Sequence, residues 1–176
     1  MKSLSKTAIA IISSLFFLSV FLSCNKATTE PKGDAAIYLL ESFDTLDASF
    51  RIDEAGVVTK PEPFIEYSDL LYYDKKNHTF KLSKSAADLL GKSQFGVYGE
   101  GFALKANDEI LYTGYFWPAF SSVSCDWIVI DPIIISDRKM KVNIGYPNSS
   151  FATGVEDKRN NKTLLDIFKR DGKLID

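Results

Sequence analysis

Cys125 and His78 are the two side chains in this 176-residue sequence whose types suit nucleophilic chemistry: a thiol in Ser124-Cys125-Asp126-Trp127 and the only histidine, in Asn77-His78-Thr79. The thiolate attacks rather than the thiol, so His78 would have to take the proton and the fold would have to bring the two together. Asp126 raises the thiol pKa, and no lysine or arginine lies close to Cys125 in the chain, so activation would depend wholly on His78. The alternative is a small buried hydrophobe at 125 and a polar turn residue at 78.

Other catalytic patterns are missing. With one histidine and one thiol beyond residue 24, a zinc site would need mostly carboxylates, and no spacing of the usual kind exists. Asp44, Asp47, Asp53 and Glu54 fall in one loop but lack the alternating ligand spacing of a calcium loop, so a solvated acidic loop is expected. There is no GxSxG and no P-loop, and Gly96, Gly99 and Gly101 do not follow the dinucleotide fingerprint. No metal or organic cofactor is implied.

Aromatic residues offer a different chemistry. Tyr112, Tyr115, Phe116, Trp117, Phe120 and Trp127 lie close together, and on a strand Tyr115 and Trp117 project from the face opposite Tyr112 and Phe116. If the first face is open, Tyr115, Trp117 and Trp127 make a candidate surface for a glycan, a peptide or a partner protein. If both faces are covered, all of these rings are core.

The element that would position them is a hairpin. Phe102, Leu104 and Ala106 alternate before Asn107-Asp108, and Ile110, Tyr112, Gly114 and Phe116 continue the period after it. Pro118 ends the second strand. Further strands are expected over Ala35 to Phe43, Tyr72 to Asp74, Thr79 to Leu82, Trp127 to Ile130, Ile133 to Ile135 and Met140 to Ile144, with a short one near Val57-Val58 inside a long loop from Asp44 to Pro63. Ser68 is placed to cap one helical turn through Leu71. Helices are expected over Ser83 to Lys92, stopped by Gly91, and over Thr163 to Arg170, capped by Asp157 or Asn160 and ended by Gly172. The fold class is α+β: a mainly antiparallel sheet packed against one or two short helices, as a single domain over residues 35–176.

The N-terminus has a different character. Lys2 and Lys6 precede an apolar run from Ala8 to Leu22 that is too short to span a bilayer comfortably, and Ser23-Cys24 ends it. Phe21-Leu22-Ser23-Cys24 resembles the lipobox of bacterial lipoproteins, with Phe21 and Leu22 where the pattern has leucine and a small residue. The resemblance implies cleavage of residues 1–23 as a signal peptide and lipidation of Cys24. Residues 24–34 form a polar tether of about 30 to 35 Å at most, at ~3.3 Å per residue. From Cys24 onward, 19 basic residues face 23 acidic ones, a net charge of −4 with no electrostatic footprint for nucleic acid.

The segments YTGYFWP, SCDW, GYP and RDGKL together resemble a group of uncharacterised Bacteroidota-type lipoproteins, whose motifs carry no assigned chemistry. That resemblance implies a cell-envelope location and lipidation of Cys24; the expected placement is membrane-anchored on the outer membrane, facing the periplasm. The expected function is non-catalytic binding of an envelope protein, peptide or glycan; the alternative is an envelope hydrolase using Cys125 with His78.

Overall fold

A computed structural model describes residues 34–176. The apolar N-terminal run, Cys24 and all of the tether before Asp34 lie outside the described residues. No helix among the described residues is long and apolar enough to cross a membrane.

Among the described residues, the hairpin lies inside a sheet of nine strands. β5 (Glu100–Ala106) and β6 (Glu109–Phe116) pair antiparallel, with Ala106 opposite Glu109 and Asn107 at φ 56° in the turn. Asparagine tolerates that left-handed conformation better than most residues. β1 (Ala35–Ser42) flanks β5, and β2 (Val58–Thr59) closes that edge. On the other side come β7 (Cys125–Ile130), parallel to β6, then β8 (Lys139–Tyr146), β4 (Thr79–Leu82), β3 (Leu70–Asp74) and β9 (Leu174–Ile175). Among the described strands, only β6–β7 and β3–β9 are parallel pairs, so the sheet is mainly antiparallel.

One detail departs from simple alternation. Leu104 faces Tyr112 but Lys105 faces Ile110, so Leu111 is an extra residue in β6. This bulge resets the period. Ile110 therefore packs with the second face, whereas Tyr112 and Phe116 join Phe102 and Leu104 on the first. Phe102 sits opposite Gly114, and a Cβ at 114 would meet the Phe102 ring at 2.7 Å, so glycine is required for that ring to lie against the strand.

Both helices cover the first face. α1 (Lys84–Lys92) buries Ala86 and Leu90, and Ser83 accepts the amide of Ala86 as its N-cap. Gly91 lies within the helix, which instead ends where the amide and hydroxyl of Ser93 donate to Leu89. α2 (Lys162–Arg170) buries Leu164, Ile167 and Phe168, each contributing about 1.5–3 kcal/mol by removal from water. Its N-cap is Asn161, whose side chain accepts from Thr163 at 2.8 Å, displacing the expected caps at Asp157 and Asn160. Gly172 at φ 66° ends it as expected and turns the chain into β9. Ile133 and Ile134, expected in a strand, lie exposed in a loop after β7, since Pro132 cannot continue the ladder. The turn at Ser68 is a short 3-10 segment, Tyr67–Asp69, that follows Glu66.

A loop covers the second face. Residues 43–57 fold down onto the sheet, burying Ile52 and packing Phe43, Phe50 and Val57 against Tyr115, Trp117, Cys125 and Val129. Two carboxylates fasten it. Asp126 accepts the amide of Phe50 at 2.8 Å and pairs with Arg51 at 3.2 Å. Glu54 accepts the Thr113 amide at 3.0 Å and pairs with Lys158 at 2.7 Å. The expected solvated acidic loop is thus ordered, because four apolar side chains of the 43–57 segment and the acid Glu54 have partners on the sheet.

Candidate functional site

Beyond the loop, the second face stays open over β8. Lys139–Lys141 pair with β4 and Val142–Tyr146 with β7, so the strand joins the two halves of the sheet. Its apolar positions Met140 and Val142 point into the core, and Lys141 and Asn143 alternate with them on the other side.

Three basic residues gather around Val142. Its amide donates to the carbonyl of His78 at 2.9 Å, and its carbonyl accepts from Arg159 Nη1 at 3.0 Å. His78 ends the β3–β4 turn at φ 51°. Asp74 holds that turn by accepting from the amides of Lys76 and Asn77 and the side chain of Asn77, which lowers the pKa of its carboxyl. Arg159 is gripped in a fork by both oxygens of Asp157, at 2.9 and 2.7 Å. That ion pair and these hydrogen bonds hold the Asp157 carboxyl below the usual range.

A cleft of about 760 Å³ lies over this group, lined among others by Lys76, His78, Lys141, Asn143, Asn148 and Arg159. Its far wall is the end of β8 and the segment that follows, where Gly145 adopts φ 75°; a Cβ there would meet the Asn148 backbone carbonyl at 2.7 Å. The Tyr146 hydroxyl donates to the carbonyl of Ala119 at 2.9 Å and steadies that wall. Burial lowers the pKa of His78, and the neighbouring Arg159 lowers it further, which favours the neutral imidazole. The cleft therefore offers ammonium, guanidinium and amide donors with a neutral imidazole, a set suited to holding a polar ligand.

The residues singled out from sequence fall elsewhere. Cys125 is fully buried, and burial pushes its thiol up to about 12, with Asp126 adding to the rise. It pairs with Tyr146 at one end of the β7–β8 ladder, whereas His78 adjoins Val142, four residues or about 13 Å away along β8 at ~3.3 Å per residue. The fold does not bring nucleophile and base together. The His78 ring lies beside the hydroxyl of Tyr73 instead, with Nδ1 at 3.4 Å.

Tyr115 and Trp117 are buried at 4% and 0% exposure, the latter donating its indole N–H to the Val123 carbonyl. Trp127 is half-buried and donates to Thr113. Tyr115 and Trp117 are core, with Trp127 packed partly buried beside them, because the 43–57 loop covers the face on which they were expected to meet a ligand. Cys24 lies outside the described residues. Among the described residues, no three His, Cys, Asp or Glu side chains are grouped to hold a metal.

Sequence reasoning missed Lys141, Asn143 and Arg159. The first two were visible as the polar alternation of Met140 to Ile144, but Arg159 was not, because the cleft is assembled from separate loops. No protein-family model, curated protein or solved structure matches the chain.

Proposed function

We propose that this is a lipid-anchored protein of the bacterial cell envelope whose α+β domain binds a polar ligand in the β8 cleft without catalysing its conversion. The observation that carries the binding role is the cleft itself: about 760 Å³ of open space over an ordered set of donors around Val142. Its volume falls within the range typical of small-molecule sites. The non-catalytic part rests on the buried Cys125 thiol and its separation from His78, which leave the hydrolase alternative without an assembled nucleophile.

The anchor rests on the N-terminal residues. Cys24 follows an apolar run with only Ser23 between and precedes β1 by ten residues of polar chain, which would keep the cleft within a few nanometres of the bilayer. Two or three acyl chains on one cysteine give stable attachment, where a single chain would be marginal.

Two measurements test the two halves. Intact mass and membrane fractionation of the full chain, compared with Cys24→Ser, should show an acylated chain beginning at Cys24 and loss of the variant from membranes; an unacylated soluble chain would remove the anchor. For the cleft, the full chain should gain thermal stability with members of a panel of saccharides, peptides and small organic acids, and Asn143→Leu should abolish the gain. Shifts that Asn143→Leu leaves unchanged would place binding elsewhere.

A further inference from the structure

The charges lining the cleft name the class of ligand. Lys76, Lys141 and Arg159 line it with one carboxylate, Asp131. Asp131 Oδ1 is committed to the backbone, accepting from the amides of Ile133 at 2.9 Å and Ile134 at 3.4 Å. Asp157, beside the cleft, has both oxygens on Arg159. Lys76, Lys141 and Arg159 thus outnumber the carboxylates, Asp131 in the lining and Asp157 paired to Arg159, and the group keeps a net positive charge.

The contrast with neighbouring lysines sharpens this. Lys81 and Lys139 both lie at Asp137, at 3.0 and 3.9 Å, whereas Lys76 and Lys141 take part in no salt bridge among the described residues. A chain with more acids than bases thus carries a local excess of positive charge inside this cleft. Such a concave site focuses the field and attracts anions. Neutral donors complete it. The Asn148 side-chain Oδ1 is occupied by the amide and hydroxyl of Ser150, at 3.0 and 2.6 Å, which leaves its NH₂ end to face a ligand.

Building on the binding role assigned to this cleft, we infer that its ligand bears an oxyanion, a carboxylate or phosphate, seated between Lys141, Lys76 and Arg159. Arg159 cannot swing out to meet it, because Asp157 and Val142 hold the guanidinium, so it supplies a fixed charge. The two lysines supply mobile ones. The anion can be a free small acid or an acidic unit of an envelope polymer, since the recognised chemistry is the same.

Calorimetry on the full-length protein in detergent at low salt tests this with citrate, inorganic phosphate, glucuronate and an oligogalacturonate, with glucose as the uncharged counterpart of glucuronate. At least one anion should bind with a sub-millimolar Kd, and glucose should not. Lys141→Glu, an exposed change that leaves the core intact, should weaken binding at least about tenfold, as should raising salt to ~1 M. Lys141→Gln should fall between the two. Tighter binding of oligogalacturonate than glucuronate would assign the site to a polymer, and equal binding to a free acid. If glucose binds as well as glucuronate and Lys141→Glu changes neither, the anion inference is overturned while the binding cleft stands. If no anion binds and the saccharide and peptide panel also gives no shift, both fall.

Discussion

Phe50 stands edge-on against Trp117, ring centroids 4.9 Å apart and planes at 79°. Phe50 also meets Tyr115 edge-on at 6.1 Å, so one loop residue closes over both rings of the strand. Edge-to-face pairs contribute about 0.5–1.5 kcal/mol beyond the area they bury. Phe50→Ala should therefore cost about 2 kcal/mol, less than the full value for a wholly buried phenylalanine because Phe50 is only half-buried. A lower urea midpoint at unchanged slope, with tryptophan emission moved to longer wavelength, is the expected result. An unchanged midpoint would mean that the loop does not hold this face.

Glu54 acts on the same loop through its carboxylate. Thr113 is fully buried, and the pairing of β6 with β7 includes only Tyr115 and Phe116, so the amide of Thr113 finds its acceptor in Glu54. Glu54→Ala would leave that donor unmatched and should cost about 1–3 kcal/mol. Glu54→Gln keeps an acceptor and weakens the contact with Lys158; since that pair is partly exposed, the loss should be under about 1 kcal/mol. The order Ala worse than Gln, measured by urea denaturation, separates the backbone role from the ion pair. Equal losses would assign the whole effect to Lys158.

Cys125 should behave as an inert core residue. Iodoacetamide at pH 8 should leave it unmodified in the folded chain over a time in which the urea-unfolded chain reacts fully, because the thiol is both inaccessible and held protonated. Cys125→Ala should be tolerated at about 1 kcal/mol, and Cys125→Ser should cost more, about 1–3 kcal/mol, since it buries a hydroxyl in an apolar cluster. Peptide mapping identifies the modified cysteine. Rapid labelling in the folded protein would contradict the packing described.

The elements with strong local periodicity were legible in the sequence. The β5–β6 hairpin, the polar turn before Thr79, α1 and α2 each follow from spacing over a few residues, and Gly172 marked a C-terminus that needs positive φ. What was hidden depends on partners distant in the chain. The Leu111 bulge is set by pairing with β5, and the two residues of β9 form a strand only because β3 offers an edge. Phe50 and Ile52 look like isolated apolar residues in a polar loop until the sheet that receives them is known. The cleft was hidden for the same reason: His78, Lys141 and Arg159 are far apart in sequence and meet only through the peptide groups of Val142.

His78 gives the fold a pH dependence that can be separated from that of its carboxylates. Arg159 and Lys141 face it with positive charge, Asp157 opposes them, and burial is the largest influence, so its folded pKa lies below the ordinary value of 6.5. A histidine depressed in this way binds its proton in the unfolded chain first. Its contribution is complete above about pH 6.5 and is lost as pH falls from there through the folded pKa. Asp74, Asp157 and Asp171 are depressed carboxylates, whose contributions hold above about pH 4 and are lost only below it. Stability measured by urea denaturation should therefore decline in two stages on acidification, and His78→Gln should remove the first stage while leaving the second. Parallel declines of wild type and variant between pH 7.5 and 5 would show that the imidazole is not held neutral by its surroundings.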